Sequence, residues 1–230
     1  MLKILRFLLT TKNRIKQKIG FRFKKIILIV LVASFSTLTQ ADSFNQANAL
    51  LVQNGYLIFQ TSTSSQSEAI QRATSSRYSH MGIIFYQKGK PFVYEASATV
   101  RFTPLKTWIS QGVQGHYVVK RLKNADKLLT PSALKKMEKI GQTFANRPYD
   151  LTFEWNDERL YCSELVWKIY DRALDIQIGD LQQVKDFNLD DPIVQAKMKE
   201  RYGNQIPYNE PVISPQAMFE SPLLEMVMQK

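Results

Sequence analysis

Apolar and polar positions along the chain fall into short strand-like runs first and helix-like stripes later. Tyr56–Gln60 is a compact apolar run of strand length. Tyr78–Gln87 and Phe92–Ser97 are rich in β-branched and aromatic residues, with the turn signal Lys88-Gly89-Lys90-Pro91 between them. They predict a hairpin, and Tyr117–Leu122 predicts another strand. Behind the cap-plus-proline pair Thr130-Pro131, residues Leu134, Met137, Ile140 and Phe144 recur on one helical face, and Arg147-Pro148 closes that helix. A second helix starts near Cys162, with Leu165, Val166, Ile169, Tyr170 and Ala173 as its buried stripe. Shorter helices are expected over 44–54, from the capping-box spacing Ser65 to Glu68 as far as about Thr74, from Thr103-Pro104 to about Gln111, and from Asp191-Pro192 to about Arg201. Residues 175–190 read as irregular, Pro207, Pro211 and Pro215 mark an ordered loop, and Leu223–Met228 reads as a final strand. Strands early and helices late, without βαβ alternation, predict an α+β fold on an antiparallel sheet.

Charge changes the picture once its distribution is considered. The chain of 230 residues has 31 Lys+Arg and 20 Asp+Glu, a formal charge of +11. Such a balance suggests a nucleic-acid or anionic-membrane partner. Residues 1–41, however, hold nine basic residues and no acidic one, so the rest of the chain carries a net charge of only +2. No nucleic-acid partner is therefore expected, and no stable protein partner is implied. The basic stretch precedes the apolar run Ile26–Phe35 and then Thr39-Gln40-Ala41, the order of a secretory signal peptide. The apolar run is short for a membrane span, which needs about 20 residues. The expected organisation is a signal peptide over 1–41, or a retained signal anchor, followed by one domain over 42–230. That places the protein in the periplasm or outside the cell, tethered to the membrane if the leader is kept.

Cys162 is the only cysteine. An intramolecular disulfide and any multi-cysteine metal site are excluded. A lone thiol in an oxidising compartment is either buried or used. Cys162 is read at a helix start, after Asn156-Asp157-Glu158-Arg159, where the helix dipole favours a thiolate. A buried small hydrophobe remains the alternative. A thiolate nucleophile needs a base, and there are two histidines. His116 follows Gly112 and Gly115 in a loop. His80, in Tyr78-Ser79-His80-Met81-Gly82, stands on a strand that would fix its geometry, with Gly82 leaving room beside it. A partly buried structural histidine is the competing reading. Glu95 is its candidate partner: a hairpin loop centred on Gln87-Lys88 sets His80 and Glu95 directly opposite each other, and a loop nearer Gly89 breaks that register. An exposed strand charge is the other reading of Glu95. Two distant histidines without a ligand motif suggest no metal, and no cofactor is expected. Glu164, two residues after the cysteine on the helix, faces away from it and reads as structural.

Leu57-Ile58-Phe59-Gln60-Thr61-Ser62, Tyr78-Ser79-His80-Met81-Gly82-Ile83, Val93-Tyr94-Glu95-Ala96 and Tyr161-Cys162-Ser163-Glu164-Leu165-Val166 together resemble the YiiX/YaeF-like family. These are permuted papain-fold cysteine hydrolases of the NlpC-type superfamily, and the resemblance covers roughly residues 52–228. It implies a circularly permuted papain-like fold, an antiparallel sheet or barrel against a few helices, with the histidine strands ahead of the cysteine helix. By motif it makes Cys162 the nucleophile, His80 the base and Glu95 the third member. It also makes Tyr149, in Arg147-Pro148-Tyr149-Asp150, the tyrosine that helps form the oxyanion site. One departure is Gly55-Tyr56, where the family usually has Gly-Asp. The implied activity is an exported amidase or endopeptidase acting on peptidoglycan peptides. Two alternatives stay open: a lipid acyltransferase or thioesterase on the same triad, acting on a lipid-linked substrate, and a non-catalytic module that binds peptides or amino acids. Phe- and Tyr-rich segments could line an acyl pocket, although core packing is the simpler use for them.

Overall fold

The computed structural model of the protein describes residues 51–230. The leader and all but the end of the helix expected over 44–54 lie outside these residues. Six antiparallel strands form the main sheet: β1 (Leu57–Gln60), β2 (His80–Gln87), β3 (Lys90–Ala96), β4 (Val100–Pro104), β5 (Val118–Leu122) and β8 (Leu224–Gln229), in the order β4-β3-β2-β1-β5-β8. A two-stranded ribbon of β6 (Gln182–Gln183) and β7 (Pro211–Val212) lies apart from it. Helices α1 (Ser67–Thr74) and α2 (Leu105–Ser110) fill connections between strands, and α3 (Ala125–Leu128) leads from β5 to the next helix. The longer helices α4 (Pro131–Thr143) and α5 (Cys162–Leu174) pack on each other, and α5 also packs on β2 and β3. The chain ends with α6 (Pro192–Tyr202), α7 (Pro215–Phe219) and β8.

Helix α5 is the centre of the core. Every residue from Cys162 to Tyr170 is buried, not only the expected apolar stripe. It is enclosed by the sheet on one side and α4 on the other, and the Tyr170 hydroxyl ties it to the Gly55 carbonyl ahead of β1. The expected caps of α4 and α6 are present: Thr130 accepts from Ala133 N–H at 3.2 Å, and Asp191 accepts from Ile193 N–H at 2.9 Å.

The expectations depart from the structure at three places near the site. The hairpin turn is Lys88-Gly89, because both residues take positive φ (50° and 75°) as a two-residue turn requires, and Gln87 pairs with Lys90. The register built on Gln87-Lys88 is therefore two residues off. Extending the observed register sets Glu95 opposite Gly82 and leaves His80 diagonal to Glu95. A slip of two keeps both side chains on one face, so their proximity survives. Secondly, Thr103-Pro104 closes a strand, β4, instead of opening a helix; Thr103 directs its hydroxyl at Glu95, leaving Pro104 as the residue before α2. Thirdly, α1 exists but Ser65 does not cap it: the helix begins at Ser67, after Gln66. The Ser67 hydroxyl meets that of Ser79 at 2.6 Å. The loop expected over 175–190 contributes β6, and the Pro207–Pro215 stretch contributes β7.

Candidate active site

The sheet supplies the candidate base. His80 opens β2, and its Nε2 lies 2.5 Å from Glu95 Oε2 on β3. Glu95 is wholly buried and its acceptor sites are well filled. Trp108 Nε1–H donates to Oε2 at 2.8 Å, and the Thr103 hydroxyl donates to Oε1 at 2.5 Å. Trp108 also stacks on the His80 ring, with centroids 5.7 Å apart at 25°. Burial alone would push the Glu95 carboxyl up. The His80 bond and charge, with Thr103 and Trp108, hold it below its usual range instead, so it stays ionised. His80 responds in the opposite sense. Burial pulls it down, but hydrogen bonds and charge from Cys162 and Glu95 overcome this and raise it to about 10. With Nε2 on the carboxylate, Nδ1 is the nitrogen left for the thiol. Gly82 matters for the same hairpin: a Cβ there would stand 2.4 Å from Val93 Cγ1 and 2.8 Å from the Tyr94 carbonyl, so the room it leaves is filled by β3.

The candidate nucleophile is the first residue of α5. Cys162 is buried at the N-terminus of a 13-residue helix, where first-turn amides lack intrahelical acceptors and the dipole favours an anion. Glu164 stands three residues after the N-cap Tyr161 and accepts from its backbone N–H at 3.4 Å. Its other oxygen takes the Lys168 ammonium at 2.7 Å, and Lys168 also holds the Asn156 carbonyl and Asp157. Burial outweighs these bonds and pushes Glu164 up to about 8. Its place in this network is structural: it ties the helix start to the preceding loop.

That loop also positions Tyr149. Buried Asp150 accepts from Thr152 N–H at 2.9 Å and Glu154 N–H at 2.6 Å, which fixes the turn, and Tyr149 bridges in parallel to Leu160 just ahead of the cysteine. Gln66 Nε2–H donates to the Tyr149 hydroxyl at 2.8 Å. Burial, with the nearby charge of Cys162, keeps the Tyr149 phenol well above its ordinary range, so its proton remains available for donation.

Two spaces meet at these residues. An apolar chamber of about 110 Å³ is lined by Cys162 and Tyr149 together with Ile70, Ala73, Phe153, Val184, Phe187, Val194 and Met198. A second, more polar cleft of about 380 Å³ is lined by His80 and Tyr149 with Gln60, Ser62, Ser79, Ser97 and Arg201, together with the apolar Ala96, Ala98, Pro148 and Leu151. Tyr149 borders both. The structure thus brings Cys162, His80, Glu95 and Tyr149 to one place, and His116 lines neither space. Thr103, Trp108 and Gln66 complete the polar network, and the sequence reading gave none of them a part. Thr103 shares a face with Glu95 only through the pairing of β3 with β4, in which Glu95 opposes Arg101. A strand reading of Val100–Pro104 would have shown it.

Residues 51–228 match the family described as "Permuted papain-like amidase enzyme, YaeF/YiiX, C92 family". The chain is 47% identical over 175 residues to "Uncharacterized protein YiiX" of Escherichia coli strain K12, covering 76% of this chain and 85% of that protein. It also superposes, with a TM-score of 0.74 and 47% identity, on a crystal structure described as that of metalloprotein yiiX from Escherichia coli O157:H7, covering 77% of this chain and 97% of that one. Among the described residues of this chain, no three His, Cys, Asp or Glu side chains group closely enough to share a metal ion. The fold, with its histidine hairpin ahead of its cysteine helix, and the extent of these matches agree: the chain belongs to the permuted papain-like amidases of the YaeF/YiiX family.

Proposed function

We propose that the protein is a cysteine amidase working through Cys162, His80 and Glu95, and that the acyl side of its substrate is apolar. The observation that carries this reading is the division of the site. Cys162 borders an apolar chamber and His80 a polar cleft, with Tyr149 between them. The group that becomes bonded to sulfur must lie on the cysteine side, and the group that receives the histidine proton must lie on the histidine side. Paired with the His80 imidazolium, the Cys162 thiolate attacks the amide carbonyl carbon. The oxyanion is met by the Tyr149 hydroxyl and the Cys162 backbone N–H. The C–N bond then breaks as His80 gives its proton to the leaving amine. Neutral His80 next takes a proton from water, whose oxygen attacks the thioester and releases the carboxylic acid and the thiolate. Glu95 holds the ring and balances its charge throughout. Export would place this chemistry in the cell envelope, beside lipid-linked amides.

A peptidoglycan peptide is the second reading. It is favoured by the serines and Arg201 of the polar cleft, which suit a hydrophilic chain better than the chamber does.

Alkylation by iodoacetamide at pH 5.5 tests the pair. The thiol should react fast, and His80→Ala should slow it by about 10²-fold, since reactivity follows the thiolate. Equal rates would remove the activated pair. Incubation with octanoyl-glycinamide and with a purified muropeptide then separates the substrates. Mass spectrometry should find an octanoyl thioester on Cys162, and turnover that persists in Cys162→Ala would end the mechanism.

A further inference from the structure

Gln60 is the last residue of β1 and the cross-strand partner of His80. Directly paired residues of an antiparallel ladder project on one face, so its side chain stands beside the imidazole. It lines the polar cleft and is completely buried, yet neither its Nε2 nor its Oε1 has a hydrogen-bond partner. A buried carboxamide with both ends unpaired is costly, and a methionine would fill the same volume without that cost. A second residue is given over to the same group. A Cβ on Gly112 would stand 2.3 Å from Gln60 Oε1. The backbone of Gly112 is at φ −84° and ψ 151°, a conformation open to any residue. Its glycine is therefore explained by the space the carboxamide occupies.

We infer that Gln60 recognises the leaving-group half of the substrate, donating through Nε2 to a carbonyl and accepting through Oε1 from an N–H. This deepens the reading of an apolar acyl side and a polar amine side, and rests on it. The amine half should then carry an amide of its own, as an amino-acid amide or a peptide does. A simple alkylamine or an alcohol offers only part of that pair. Sites built to hydrogen-bond a ligand discriminate strongly against one that lacks the matching groups, because their own polar atoms are then left unpaired.

The test measures binding to the full chain carrying Cys162→Ala, with two probes that share an acyl group. Octanoyl-glycinamide has the amide-bearing amine half; methyl octanoate lacks it. Adding Gln60→Met should raise the Kd of octanoyl-glycinamide by about tenfold or more and leave that of methyl octanoate within about twofold. Its Tm should be equal or higher, which separates loss of recognition from loss of fold. Gly112→Ala, which displaces the carboxamide while keeping Gln60, should weaken the same probe selectively. Equal effects on both probes, or none on either, would overturn the assignment of Gln60. Failure of both probes to bind the Cys162→Ala chain would overturn the apolar-acyl reading as well. Binding of methyl octanoate with no added affinity from glycinamide would overturn the role of Gln60 alone.

Discussion

Glu95 and Glu164 are both wholly buried, and each stands beside a residue of the proposed triad, yet their chemistry diverges. Burial is the largest influence on both, and it favours the neutral acid in both. Their donors decide the outcome. Glu95 receives an imidazole, an indole and a hydroxyl, and falls below the usual carboxylate range. Glu164 receives one ammonium, which it shares with Asp157 and the Asn156 carbonyl, and a long bond from Tyr161 N–H; it rises to about 8. Depth alone therefore does not distinguish a working carboxylate from a structural one. The number and quality of donors do.

The contrast is sharpest in activity. Glu95→Gln keeps the shape but loses the charge that, together with Cys162, holds His80 protonated. We expect kcat/KM to fall by about 10²–10⁴-fold, the scale seen when the acid of such a triad is neutralised. The alkaline limb of the pH profile, expected near the His80 value of about 10, should move down. A limb that stays in place would show that Glu95 does not set the imidazole's charge.

Thr103→Val is a smaller perturbation. It leaves Glu95 Oε1 without its hydroxyl donor and should cost about 1–3 kcal/mol of stability, read from chemical unfolding. Activity should fall several-fold, and the alkaline limb should shift less than in Glu95→Gln. No change in either would mean that the 2.5 Å contact contributes nothing to the carboxylate.

Glu164→Gln should leave activity near neutrality almost unchanged and alter the pH dependence of folding instead. A carboxyl whose folded value is raised from 4.5 to about 8 contributes stability that is complete below about 4.5 and lost as pH rises through 8. Glu95, held low, contributes in the opposite direction: its share is present above the usual carboxylate range and lost as pH falls. Between pH 5 and 8 the Gln variant should therefore show a flatter Tm curve than the parent. A parallel curve would refute the raised Glu164 value.

Local signals in the sequence located much of this arrangement. The helix beginning at Cys162, the histidine strand and the capped starts of α4 and α6 follow from turn chemistry and periodicity. What escaped depends mainly on how neighbouring strands pair and on what the sheet and helices cover. The hairpin register depended on which two residues take positive φ, and lysine at the first of them is not a usual turn signal. Thr103-Pro104 carries the chemistry of a helix cap, but pairing with β3 overrode it. The full burial of α5, Lys168 included, exceeds what its apolar stripe implied, because the helix is covered by both the sheet and α4. Gln60 was visible within a motif, and only the three-dimensional arrangement shows that its carboxamide is unpaired.

The order of the hairpin and the helix along the chain has a consequence for biosynthesis. The histidine and its carboxylate emerge from the ribosome within one local hairpin, whereas the sulfur follows only after β5 and α4 have been made. A nascent chain can thus pair His80 with Glu95 before Cys162, the proposed nucleophile, has been made. In the proposed triad the thiol gains its activating partner only when α5 docks on the first five strands, since β8 is made later. Under the proposed triad, a partly folded chain in which α5 has not yet docked carries an ordinary cysteine, poorly suited to attacking the proteins around it.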